Sequence, residues 1–345
     1  MVKNIIIELL DCLSAGQRLD QRLAIAFVDT LADPSTSEVE QAYLTAAWKA
    51  KGETPDELSS MASYILSKLH RIKCDFDVFD CCGTGGDHSG SFNISTSSAL
   101  ITACAGIKVA KHGGRKTTSA SGSIDLLDAL SIPTFTQPDQ ISESLKRTGL
   151  VFISSPALHG LLGRWKGVCR RLGFAGQTGL IGTLTNPVYL THQIIGVPKP
   201  EWGPLMIEAL KQLGRKRAMV IHGKPGLDEA SYCGQNLLWT LKQGEITELT
   251  IDPKDLGKTS CYSLNEIRGG NPEENAAIFS QLLEGKAPQA IFETVVLNTA
   301  LILMLFDETN DLRTLINKVE DLLLSGEVLR FWQRFELESK KITHQ

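Results

Sequence analysis

Five short apolar runs, each followed by a helix-length stretch, constrain this chain more than any other feature. They fall at 76–80, 107–110, 151–153, 193–197 and 217–222, with helical patterns at 94–105, 124–130 and 201–213. Strands that alternate with helices need crossover connections, which give a mainly parallel sheet covered on both faces. Residues 3–70 show no such alternation. Ile5, Leu9 and Leu13, then Leu23, Ala26, Phe27 and Leu31, recur at helical spacing. Further helices are expected over about 36–51 and 55–70. The last carries a start signal, Thr54-Pro55-Asp56-Glu57, with a capping hydroxyl, a proline at the first helical position and a glutamate that completes a capping box. The expected fold is therefore α/β. A small all-helical N-terminal domain, 1–72, is rejoined by about 163–190, where glycine-rich helical sequence breaks the strand rhythm. A large α/β domain with a mainly parallel central sheet takes 73–162 and 191–345.

Composition narrows the function classes. The 345 residues are 42% apolar and 21% charged, which excludes a disordered or fibrous chain. The net charge is −4 with no long like-charged run, which argues against an extended nucleic-acid footprint. No uninterrupted apolar stretch spans a membrane, and the N-terminal apolar run meets Glu8 and Asp11 too soon for a signal peptide. Eight scattered cysteines without a C-x-x-C pair read as reduced thiols of a cytoplasmic protein. Seven histidines in no H-E-x-x-H or i, i+4 arrangement predict no zinc site.

Three segments carry chemistry. The first runs Gly83-Thr84-Gly85-Gly86-Asp87-His88-Ser89-Gly90-Ser91-Phe92-Asn93-Ile94-Ser95-Thr96, from a strand into a helix. Glycines let backbone amides approach a phosphate, and the helix start adds a positive end. Neither a Walker lysine nor a G-x-G-x-x-G pattern is present. The second, Lys111-His112-Gly113-Gly114-Arg115-Lys116, places three cations within six residues and runs on through five hydroxyls to Ser123. That composition suits a polyanion with several phosphoryl oxygens. The third, Gly226-Leu227-Asp228-Glu229, offers adjacent carboxylates in a loop after a strand, a plausible Mg²⁺ site. Loops at the carboxyl ends of parallel strands converge on one crevice.

In these and other segments the chain resembles the anthranilate phosphoribosyltransferase family over about residues 5–310. The resemblance also includes 51–58, Ala157-Leu158-His159, Arg170-Arg171-Leu172-Gly173, Leu184-Thr185-Asn186-Pro187 and the 268–276 segment Arg-Gly-Gly-Asn-Pro-Glu-Glu-Asn-Ala. It implies a homodimer formed through the helical domain, with the active site between the domains. It implies that Gly83, Gly86, Asp87, Ser91, Asn93, Ser95, Thr96, Lys111, Ser119 and Ser123 hold phosphoribosyl pyrophosphate. Ser95, Asp228 and Glu229 would bind Mg²⁺. An aromatic amine acceptor, anthranilate in the first instance, would meet Gly83, His112, Gly114, His159 and Arg170. No general base is assigned, because an aromatic amine is already neutral and nucleophilic at pH 7.

Departures from the family cluster on the acceptor side. Gly114 stands where the family has Asn, Gly160 where Pro follows the histidine, and 175–184 lack the usual Arg, Phe, Asn and Pro. Weak use of anthranilate is the expectation, with Arg170 left to engage the carboxylate. Three other readings are a transferase with a different aromatic acceptor, a nucleoside phosphorylase of the same fold, and a non-catalytic relative that binds nucleic acid or another protein.

Overall fold

The computed structural model describes residues 2–115, 121–154, 160–174, 176–257, 261–307 and 311–343. The chain opens with four helices, α1 (Val2–Ser14), α2 (Gln21–Ala32), α3 (Glu38–Lys51) and α4 (Pro55–Ser67). The start signal at Thr54 works as its chemistry implies: Glu57 N–H donates to Thr54 Oγ1, and Thr54 N–H donates to Glu57 Oε2 at 3.0 Å. Glu57 is also buried. Its carboxylate accepts from Leu19 N–H at 2.8 Å, Trp48 Nε1 at 3.1 Å and Lys51 Nζ at 2.8 Å. One capping residue thus joins the turn before α2 to α3 and α4, and its buried charge has a cation and neutral donors.

The sheet and its covering helices follow. They are β1 (Phe79–Gly83), α5 (Ile94–Cys104), β2 (Val109–Gly113), α6 (Ser123–Ala129), α7 (Pro138–Thr148), β3 (Leu150–Ser154), α8 (Gly160–Arg171), α9 (Gln177–Gly182), β4 (His192–Gly196), α10 (Trp202–Gln212), β5 (Arg217–Gly223), β6 (Asn236–Lys242) and β7 (Glu245–Ile251). Four helices close the described chain: α11 (Pro272–Leu283), α12 (Gln289–Met304), α13 (Leu312–Leu324) and α14 (Glu327–Thr343). The seven strands lie in the order β3-β2-β1-β4-β5-β6-β7. β3 to β5 are parallel neighbours, while β6 and β7 add antiparallel at one edge. The fold is α/β with a mainly parallel sheet, as the alternation requires.

Two differences from the sequence reading are local. The first strand starts at Phe79 rather than 76, because Phe79 is where pairing with β2 and β4 begins. The β6–β7 hairpin is absent from the sequence reading. Its two-residue turn, Gln243-Gly244, has both φ angles positive, 52° and 81°, as a tight hairpin turn demands.

The helical module and the sheet share a core. Trp165 of α8 packs on the Phe27–Trp48 pair, its ring centroid 6.0 Å from each and theirs 5.4 Å apart. The same apolar cluster continues through Leu180, Ile181 and Leu184 to Trp202, Met206 and Val220 on one sheet face. α8 therefore packs against α2 and α3, α9 packs against α4, and α10 carries the contact onward to the strands. α12, buried nearly all round, covers the opposite face with α5. No helix among the described residues is long and apolar enough to cross a membrane.

Strand order sets where a ligand can sit. From β1 the chain steps to β2 on one side, and from β4 it steps to β5 on the other. Between the carboxyl ends of β1 and β4 lies the switch point, the position where open α/β sheets leave a crevice.

Candidate active site

The loops after β1, β2 and β5 meet at that switch point around a cavity of about 320 Å³. One half is lined by the glycine-rich loop with Asp87, Ser91, Asn93 and Ser95, together with Lys111, Asp228 and Glu229. The other half is lined by His112, Gly114 and Arg115 from the β2 loop, Leu162, Gly163 and Lys166 from α8, and Thr178, Gly179, Gly182 and Thr183 from and after α9. Residues of all three segments read from the sequence as phosphate- and metal-binding thus line a single crevice, the second segment reaching both halves.

Close approach explains the first glycine. A Cβ on Gly83 would collide with the Asp228 carboxylate. Gly86 has φ +87°, a left-handed conformation that favours glycine. Gly85 N–H donates to Asp228 Oδ2 at 2.8 Å, which fixes the loop to the carboxylate pair. Ser95 N–H, in the first turn of α5, donates to Glu229 Oε1 at 3.2 Å, and Ser91 Oγ donates to Glu229 Oε2 at 3.3 Å. Thr96 Oγ1 donates to Ser123 Oγ at 3.1 Å, joining the first two segments. A brace lies behind the loop. Phe92 N–H donates to Ile267 O at 3.0 Å, Gly269 N–H to Gly90 O at 2.9 Å, and Asn275 Nδ2 to Asn93 Oδ1 at 2.8 Å. The Arg268–Asn275 motif therefore holds the donor loop in shape and does not itself line the cavity.

Electrostatics point to a bound cation. Asp228 and Glu229 sit side by side, half-buried at the cavity wall, with Asp87 against Asp228. Burial, then the Asp87 charge, pushes Asp228 up to about 7. Burial, then Asp228, pushes Glu229 well above the usual carboxylate range. Carboxylates crowded in this way call for a counter-charge. The donor set is all oxygen, which suits a hard divalent ion. Among the described residues no three His, Cys, Asp or Glu side chains form a preformed metal cage. Mg²⁺ needs none, because it is commonly held by one or two carboxylates, waters and substrate phosphates.

Lys111 is the buried counter-cation of this wall. Its Nζ donates to Cys81 O at 2.7 Å and Ser95 Oγ at 3.3 Å. Asp80, wholly buried one strand away, accepts from His112 N–H at 3.1 Å and Asn186 Nδ2 at 2.9 Å. Burial pushes Asp80 up to about 6 against the opposing pull of Lys111. Asp80 and Asn186 fix the backbone that presents Lys111 and His112 to the cavity.

Over residues 75–329 the sequence matches the family described as "Glycosyl transferase family, a/b domain". It is 37% identical over 298 residues to an anthranilate phosphoribosyltransferase from Pelodictyon phaeoclathratiforme, covering 85% of each chain. The crystal structure of anthranilate phosphoribosyltransferase from Thermus thermophilus superposes with a TM-score of 0.86 at 30% identity, over 96% of this chain and 99% of that one. This chain belongs to the anthranilate phosphoribosyltransferase family. The enzyme from Saccharomyces cerevisiae, solved in complex with PRPP and Mg, shares the fold with a TM-score of 0.87 at 22% identity, over 97% and 98% of the two chains.

Against that family's pattern, the residues read from the sequence fall into four groups. Gly83, Gly86, Asp87, Ser91, Asn93, Ser95, Lys111, Ser123, Asp228 and Glu229 line the cavity together, as do His112 and Gly114. Thr96 is buried behind the wall and reaches it through Ser123. Ser119 and His159 lie outside the described residues. Arg170 is placed differently from the reading. It is exposed in the last turn of α8 and does not line the cavity. With Trp165 anchored in the core, the neighbouring Lys166 is the α8 cation that lines the cavity, and Arg170 sits one turn further out. Lys166 and Asp80 went unread as site residues, while Thr178, Gly179 and Thr183 were read only as part of the altered 175–184 segment. Asp80, an acid inside an apolar run, left a sequence signal that Lys166 did not.

Two glycines of the acceptor half behave oppositely. At Gly114 the backbone is ordinary and the nearest atom to an added Cβ is Lys166 Nζ, at 4.0 Å. At Gly179 an added Cβ would collide with the Thr84 carbonyl. Gly114→Asn is therefore expected to fold normally and to lower the KM for anthranilate by about tenfold, the worth of one added hydrogen bond to a carboxylate. Gly179→Asn is expected to displace the donor loop, raising the KM for phosphoribosyl pyrophosphate and lowering Tm. Steady-state kinetics and calorimetry on both variants check the pair. Similar behaviour of the two would refute this placement of the acceptor wall.

Proposed function

We propose that this protein transfers the 5-phosphoribosyl group of phosphoribosyl pyrophosphate to the amino nitrogen of anthranilate, releasing pyrophosphate. The observation that carries the reading is the meeting of a glycine-rich loop, a lysine-bearing loop and an adjacent carboxylate pair at one switch-point crevice, in a chain of this family. Displacement at the ribosyl C1 builds positive charge on the sugar and negative charge on pyrophosphate. The donor wall supplies Lys111 and the positive end of α5 for that negative charge. Asp228 and Glu229, with Ser95 beside them, are the residues that fit Mg²⁺. When bound, the ion neutralises the departing pyrophosphate. The crevice aligns the amine with C1, and positioning supplies much of the rate, since the amine needs no deprotonation before attack.

The same reading takes Gly83, Gly86, Asp87, Ser91, Asn93, Thr96, Ser119 and Ser123 as donor contacts, and His112 and His159 as acceptor contacts. It makes the working protein a cytoplasmic homodimer joined through the helical domain. Ile7, Val39 and Tyr43, exposed on α1 and α3 at 57%, 78% and 55%, support that interface. Membrane and nucleic acid are not partners in this reading.

Pyrophosphate release, followed with phosphoribosyl pyrophosphate, Mg²⁺ and a panel of aromatic acids and amines, tests it. Release that depends on anthranilate and on Mg²⁺ is expected. Release with another aromatic amine and none with anthranilate would move the acceptor assignment. Absence of release with every acceptor would overturn the transferase reading.

A further inference from the structure

The acceptor half of the cavity holds a cation that no contact among the described residues explains. Three described cations line the cavity, Lys111, Arg115 and Lys166. Lys111 donates to Cys81 O and Ser95 Oγ. Arg115 is paired with Asp125 at 3.1 Å and Asp128 at 2.8 Å. Lys166 is half-buried on α8, and none of the described residues accepts a hydrogen bond from it or forms an ion pair with it. Burial, then the neighbouring Arg170 charge, lowers its proton affinity. An ammonium withdrawn from water, facing a cavity and lacking an anion, is a binding group waiting for one.

Position selects the anion. Lys166 Nζ reaches to 4.0 Å from the point where a Gly114 side chain would begin. Its companions in this half include His112, Arg115, Leu162, Thr178, Gly182 and Thr183. The small residues among them leave room for a planar ring, and in the transferase reading the phosphates of the donor belong with Lys111 and the carboxylate pair. Resting on the transferase reading above, we infer that Lys166 binds the carboxylate of an aromatic amino acid acceptor and is the residue that selects an acid over its neutral counterpart. It supplies the charge that Gly114 lacks and that Arg170, too far out on α8, does not bring to the cavity. The acceptor class is thereby a planar aromatic amine with an anionic substituent. Uncharged aromatic amines fit the same space without its strongest contact. Lys166 touches no reacting atom and is a specificity-determining residue.

Calorimetry with Mg²⁺ and pyrophosphate present fills the donor half without allowing transfer. Anthranilate and 2-aminobenzamide, alike in shape and different in charge, are titrated into wild type, Lys166→Met and Lys166→Arg. Wild type is expected to prefer the acid by about ten- to a hundredfold, the worth of a hydrogen bond to a charged group. Lys166→Met is expected to lose that preference, Lys166→Arg to keep most of it, and pyrophosphate affinity to stay unchanged in both. An equal preference in wild type and Lys166→Met would overturn the inference, as would loss of pyrophosphate affinity or failure of wild type to bind either compound. An acid preference that depends on Lys166, found together with no transfer to any acceptor, would uphold the inference while the transferase reading fell.

Discussion

Asp228→Asn combined with Glu229→Gln is expected to cut turnover by about a thousandfold or more, roughly 4 kcal/mol of barrier, while raising the Tm of the ligand-free protein. Opposite signs follow from one cause. Both carboxyls are pushed far above their ordinary range, first by burial and then by one another or by Asp87. Without the counter-ion their ionisation opposes folding, so neutral amides of the same shape remove that cost. One oxygen of each amide still accepts from Gly85 N–H or Ser95 N–H, the contacts that shape the loop. Function needs the charge, because pyrophosphate departs poorly without a metal that neutralises it. Differential scanning calorimetry and pyrophosphate release read the two effects separately. A lower Tm with turnover preserved would make the pair a structural cap rather than a metal site.

How much of this was legible in the sequence depends on whether a feature is contiguous in the chain. Part of the cavity lining was readable because Gly83–Thr96 and Lys111–Ser123 each carry their chemistry in one stretch, and strand periodicity brings their ends together. The contribution of α8 was not. Which residue of α8 faces the cavity is set by Trp165, which the packing of Phe27 and Trp48 pulls inward. Spacing alone gives Lys166 and Arg170 the same helical face and does not say which of them reaches the crevice. Asp80 and Asn186 are 106 positions apart and meet only because β1 is central in the sheet. The 268–276 segment shows the converse. Its resemblance to the family was plain, yet its work is to brace the donor loop from behind. The β6–β7 hairpin escaped because β7 is an edge strand with an exposed, polar face, so its pattern lacks a buried stripe.

Lys111→Met is expected to do the reverse of the carboxylate variant to stability and the same to function. Lys111 is only 2% exposed, and its charge favours the ionised forms of both Asp80 and Glu229. Removing it strands buried acids without their cation, a loss on the order of 3 kcal/mol. For a protein of this size that is a fall in Tm of several degrees. Its pH dependence has a definite sign. Asp80 titrates at about 6, above the ordinary carboxyl value, so its protonated form favours folding and its contribution is lost as pH rises through about 6. Without Lys111 that loss deepens, so the gap in Tm between variant and wild type widens as pH rises from about 5 to 8. The KM for phosphoribosyl pyrophosphate rises at least tenfold, because a charge-assisted contact to phosphate is gone. Thermal melts across that pH range, with donor kinetics at one pH, check the claim. A Tm gap that stays constant with pH would mean that Lys111 serves the substrate alone and that Asp80 is held by its neutral partners, His112 N–H and Asn186.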